Sequence, residues 1–193
     1  MSFRKAALFI IVLALPGAFH GQAVPASMGS ADISRYEAGG NYTLFRANAP
    51  PGQCGCFFMN GGGGTFLVNI TPKWSALADI AVAKANHLNG TSQDLLVINY
   101  LFGPRYTYRN SSRWIPFAEI LLGGSKADVN YRFDINKQSF AVLGGGGVTT
   151  KIKPRWGLTV VEVDYVYSRI PNANNNTQNN VRIVTGVTYH FGQ

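Results

Sequence analysis

The sequence predicts an all-β fold: an eight-stranded antiparallel up-and-down β-barrel of the transmembrane type. Three observations carry that expectation. About eight stretches of roughly ten residues alternate apolar with polar side chains at a period of two. The connections between them are short and long by turns along the chain. All three tryptophans, Trp74, Trp114 and Trp156, follow short connections, which gathers them at one end of the sheet.

The N-terminus is set aside first. Arg4 and Lys5 precede an apolar run from Ala6 to Leu15, which Pro16 and Gly17 break before small residues follow. That is the layout of a secretory signal peptide, and the run is shorter than the roughly 20 residues of a membrane-spanning helix. Cleavage is expected after Ala23, with Ala26 as second choice, giving a signal peptide over 1–23, a lead-in over 24–34 and a barrel over 35–193. Even without Arg4 and Lys5 the cations outnumber the nine acids. They are scattered singly, with no Lys/Arg track interleaved with aromatics, so no nucleic-acid partner is expected. Anionic lipid headgroups suit such a surface better. The two cysteines, in "CGC" at Cys54 and Cys56, lack the further ligands a zinc site needs. A disulfide between them is allowed in an exported chain, though so small a ring is strained.

The strands are expected near 35–46, 61–71, 74–85, 95–108, 115–124, 138–151, 156–168 and 180–191. The first has Glu37 and Asn41 on its polar face. The second, "TFLVNIT", sets Phe66, Val68 and Ile70 opposite Thr65, Asn69 and Thr71. In the third, Asp79 and Lys84 are assigned to the polar face. The fourth puts Leu96, Ile98, Tyr100, Phe102, Tyr106 and Tyr108 opposite Asn99, Arg105 and Thr107. Glu119 marks the polar face of the fifth, Lys151 that of the sixth, and Glu162 with Asp164 that of the seventh. The eighth, "VRIVTGVTYHF", separates Val181, Ile183, Val187, Tyr189 and Phe191 from Arg182, Gly186, Thr188 and His190.

Alternation alone does not say which face is inside. The polar face does, because its charges have mixed sign and lie at mid-strand, where in a narrow barrel they can pair across a lumen. The apolar face carries aromatics near the strand ends, as an interfacial girdle requires. The expected lumenal set is Asp79, Arg105, Glu119, Glu162, Asp164 and Arg182. The expected interface aromatics are Trp74, Trp114, Trp156, Tyr189 and Phe191. In "TPKWSA" and "KPRWGL" a proline opens the turn and a cation precedes the indole; "SSRWIP" keeps the cation and indole. Two "GGGG" runs, Gly61 to Gly64 and Gly144 to Gly147, lack the Lys-Ser/Thr and following helix of a phosphate cradle. They are expected to relieve crowding on the inner wall.

"TGVTYHFGQ" resembles the close of the membrane domain of OmpA-type outer-membrane proteins, and "FAVLGGGGVTTKI" followed by "LTVVEVDYVYS" looks like the penultimate hairpin of that family. The resemblance implies a small bacterial outer-membrane barrel, surrounded by outer-membrane lipid, monomeric, and inserted by the barrel-assembly machinery. The assembly signal would be Gly186, Tyr189 and Phe191. Two departures from the pattern are Val184, where a polar residue is usual, and the two residues that follow Phe191.

The expected function is structural: a non-catalytic barrel contributing to envelope integrity and to surface contact through long loops, with at most a narrow charge-gated pore. No cofactor or metal is expected. Two other classes compete. A secreted soluble barrel binding a small apolar ligand would have the same periodicity turned inside out. A lipid- or peptide-processing barrel enzyme would need a base, and only His87 and His190 follow the signal segment.

Overall fold

In the computed structural model the chain is described over residues 33–47, 57–86, 94–129, 138–170 and 177–192. The signal segment, Cys54, Cys56 and His87 lie outside the described residues. Eight strands follow in order: β1 (Tyr36–Ala47), β2 (Phe57–Asn69), β3 (Trp74–Ala85), β4 (Leu95–Thr107), β5 (Trp114–Val129), β6 (Gln138–Lys153), β7 (Trp156–Ser168) and β8 (Gln178–Phe191). Each pairs antiparallel with its neighbours, and β1 pairs with β8 to close the barrel. Four strands, β2, β5, β6 and β8, are longer than the sequence suggested. β2 starts at Phe57, so "FFMN" belongs to the ladder, and β5 runs on through Ser125 to Val129.

The apolar face points outward. Phe102 and Ile120 are 62% and 61% exposed, and Phe58, Phe66, Ile80, Leu122, Val163 and Tyr165 are also open. A soluble monomer rarely presents so large and continuous an apolar belt. In hydrocarbon the belt is favourable, and closure leaves no strand edge with unpaired backbone groups.

Trp74, Trp114 and Trp156 are the first residues of β3, β5 and β7, all at the end of the barrel that carries the short turns. Trp74 meets Tyr106, and Trp156 meets Tyr189, edge-on at ring separations of 5.1 Å in both cases. Thr71 caps the first turn by accepting hydrogen bonds from the Lys73 and Trp74 amides.

Two expectations about facing are corrected. Lys84 is outward and exposed, because strict alternation from Asp79 sends Ala81, Ala83 and Ala85 inward and Lys84 to the lipid side. The glycine runs do not belong wholly to the inner wall. Gly61, Gly63, Gly145 and Gly147 line it, while a Cβ on Gly144 would point into open space.

A bulge in β7 decides the rest. Thr159 pairs with Gly186, yet the next paired residue is Glu162, opposite Val184. Val160 and Val161 are both exposed, at 38% and 41%. One extra residue therefore sits on the lipid side, and Glu162, Asp164, Val166 and Ser168 keep the inward phase that Gly157 and Thr159 began. Deleting Val160 is expected to leave a folded barrel, since the phase on both sides of the bulge is preserved. Deleting Val163 should throw Asp164 into lipid and abolish folding. Heat-dependent gel mobility of the two refolded variants distinguishes them.

Candidate functional site

The candidate site is the barrel interior, which is layered along its axis. Toward the long connections apolar side chains predominate, with buried polar ones such as Thr43, Asn99 and Ser125 among them. Phe45, Met59, Val97, Leu121, Leu143 and Val166 belong to one buried cluster with several alanines. The inward apolar residues of this layer lie beyond the charged ones on the same strands: Ala83 beyond Asp79, Leu121 beyond Glu119, Val166 beyond Asp164. This apolar fill is absent from the sequence expectation, which treated the inner face as polar. The signal was present in the phase of the strands, because fixing Asp79, Glu119 and Asp164 inward also fixes Ala81, Leu121 and Val166 inward.

The middle layer is ionic. Arg182, on β8, has no exposed surface and reaches three carboxylates. Its Nη1 lies 2.7 Å from Asp79 on β3, its Nε 2.7 Å from Asp164 on β7, and its Nη2 3.1 Å from Glu162. Arg105, on β4, donates from Nε and Nη2 to Glu119 on β5 at 2.6 Å. Its Nη2 also stands 3.5 Å from Glu162, and its guanidinium lies 4.1 Å from the centre of the Phe117 ring. Glu162 thus joins the two arginine clusters into one. The structure places all six of the sequence-predicted lumenal residues in this network.

Glycine makes the network possible. In register, Gly145 lies between Glu119 on one side and Asp164 on the other, and Gly147 lies between Phe117 and Glu162. A Cβ on Gly145 would collide with the Asp164 carboxylate, and one on Gly147 would meet the Val161 carbonyl and the Phe117 ring. The wall of β6 is bare where its neighbours lay down their acids. Carboxylate oxygens of Glu119, Glu162 and Asp164 come within 4.8 Å of one another, a spacing that would suit a cation. Two guanidiniums already occupy that role.

The third layer, at the short-turn end, holds a chamber of about 40 Å³ lined by Glu37, Arg109, Thr149, Lys151 and His190 together with the apolar Leu67, Ile115 and Phe117. Glu37 accepts from Asn69 at 2.7 Å and from Arg109 at 3.3 Å, and His190 Nδ1 lies 3.5 Å from its other oxygen. Ser75 donates to Asn69, and Arg109 also donates to the Pro72 carbonyl at 3.0 Å. This cluster ties β1, β2, β3, β8 and the turn between β4 and β5 together at one mouth. The sequence reading has Glu37, Asn69 and His190 on the polar face but not Ser75 or Arg109, and does not group them, since they come from four strands and a turn.

Taking two or more charges out of water is favourable only when they are paired with good geometry. Replacing Arg182 by Met leaves Asp79, Glu162 and Asp164 without their main counter-charge in a closed interior. We expect a loss of about 3–5 kcal/mol, read as a lower urea midpoint of the bilayer-refolded protein. Adding D79N and D164N to R182M should recover part of that loss.

With the geometry established, the chain can be set beside known proteins. No protein-family model and no curated protein matches it. Solved structures do match. Neisserial surface protein A is 17% identical, with a TM-score of 0.63 over 82% of this chain and 98% of its own. Ail, the attachment invasion locus protein of Yersinia pestis, is 13% identical, with a TM-score of 0.56 over 82% of this chain and 99% of its own. The outer membrane protein OprG from Pseudomonas aeruginosa is 13% identical, with a TM-score of 0.55 over 84% and 98%. Ail has also been solved with the heparin analogue sucrose octasulfate. The closed eight-stranded architecture of this chain is the fold of the small outer-membrane β-barrels.

Proposed function

We propose that this protein is a non-catalytic integral barrel of the bacterial outer membrane, with a lumen closed to solutes at rest. Its short-turn end faces the periplasm and its four longer connections face outward, the usual arrangement for such barrels. Its roles are envelope structure and surface contact through those connections, and any pore is narrow and gated by the ionic layer. It works as a monomer, surrounded by outer-membrane lipid and inserted by the barrel-assembly machinery, for which Gly186, Tyr189 and Phe191 are the signal.

One observation carries the reading. The interior is filled in series by an apolar cluster and by a network in which Arg182 reaches across to Asp79. A solute would have to part both. Surface contact finds support in Ail, named for attachment and invasion, which shares the architecture. The competing secreted barrel with an apolar ligand is disfavoured by the direction of the greasy face. Its large apolar side chains point out, and the inward ones pack on each other.

Planar-bilayer recording tests the proposal. Wild type is expected to give little or flickering conductance, with longer openings when Arg182 and Arg105 are both replaced by Gln in a barrel that still shows the gel shift. A large steady conductance from wild type would sink the idea of a closed lumen. Unaltered lipid and protease profiles in H87A and H190A membranes are the expected result for a protein without catalysis.

A further inference from the structure

The β6–β7 hairpin runs past the start of β5, whose first residue Trp114 pairs with Thr150, while β8 keeps pace with it on the other side. Its register shifts between Lys151 and Lys153, a bulge that re-aims consecutive side chains at the rim. The Arg155 carbonyl accepts from the His190 amide at 2.9 Å, which holds the hairpin tip against the end of β8. Between the two lies a groove of about 690 Å³. Three cations line it, Lys151, Lys153 and Arg155, together with Ile152, Tyr189 and Phe191, and its described lining contains no carboxylate.

The two kinds of lining residue face different surroundings. Ile152 and Phe191 are exposed at 55% and 38%, and Tyr189 stacks on Phe191 while meeting Trp156 edge-on. These belong to the lipid-facing side. Lys153 is in register with Trp156, itself the partner of Tyr189, and Arg155 is bonded to His190, so cations and aromatics lie side by side in the band where hydrocarbon gives way to headgroups. A water-soluble polyanion would satisfy the cations and leave the aromatics uncovered. A phospholipid satisfies both, since its phosphate is joined to its acyl chains.

We propose that this groove is a binding site for an anionic phospholipid of the leaflet adjoining the short turns. Lys153 and Arg155 hold the phosphate, Lys151 adds its charge from the inner edge where groove and chamber meet, and Ile152, Tyr189 and Phe191 flank the first part of the acyl chains. The inference rests on the membrane reading above, and its test separates the two.

The barrel is refolded into phosphatidylcholine vesicles containing brominated phosphatidylglycerol or brominated phosphatidylcholine at equal mole fraction. Insertion is scored first by the heat-dependent gel shift, and its absence would overturn both the membrane reading and the site. In the inserted W74F/W114F background, Trp156 is expected to be quenched several-fold more by the anionic lipid. Native mass spectrometry of the unaltered barrel should show bound phosphatidylglycerol with an affinity about tenfold or more above that of K151Q/K153Q/R155Q, since cations near an anionic surface act additively. The charge-keeping K151R/K153R variant should retain the preference. Equal quenching by the two lipids, or equal retention by wild type and the triple variant, overturns the site. Loss of the preference in excess inorganic phosphate would assign the groove to a free anion and overturn the lipid.

Discussion

In hydrocarbon a backbone amide has no water to fall back on, so every strand must find a partner on both sides. That requirement closes the sheet, and closure with eight strands leaves an interior just wide enough to be filled by side chains. Everything inside this protein follows from the narrowness. Arg182 on β8 can touch Asp79 on β3, with β1 and β2 between them in the wall, because the interior is only about a side chain or two across.

Such a space is unforgiving toward charge. Four carboxylates and two guanidiniums can share the middle only if each guanidinium is used by several acids. Arg182 and Arg105 do this, and Glu162 bridges them. Room for that bridging comes from the absence of side chains on β6, at Gly145 and Gly147. The apolar cluster packs beyond the network on one side. The Glu37 cluster caps it on the other.

Much of this was legible in the sequence. Strand number, the order of short and long connections, the common end of the tryptophans and the six lumenal charges all follow from period-two alternation and the positions of polar residues. Three things did not come through. Lys84 was assigned by its charge, although its phase relative to Asp79 sends it outward. The inward Leu121 and Val166 follow from the phase of Glu119 and Asp164, but an apolar residue draws no notice on either face of a membrane barrel, so they and Leu143 were passed over. The Glu37–Asn69–Arg109–His190 cluster depends on register between strands far apart in the chain, which no local pattern encodes. The β7 bulge lies between these cases, since two adjacent valines in an alternating strand are its trace.

The seam between β1 and β8 differs in kind from every other pairing. Seven pairings join consecutive strands, whereas this one sets Tyr36 against Phe191. Until it forms, the protein is an open sheet with two raw edges. Gly39, Gly40 and Gly186 meet there; a Cβ on Gly186 would run into the Gly40 carbonyl and the backbone of Asn41. The edges are therefore smooth where they must slide together, and the Arg35 amide donating to the Gly192 carbonyl at 2.7 Å extends the join past the last ladder residue. In terms of sequence distance, seven joins are local and one spans the whole barrel, so the wall is continuous only where the first and last strands lie side by side.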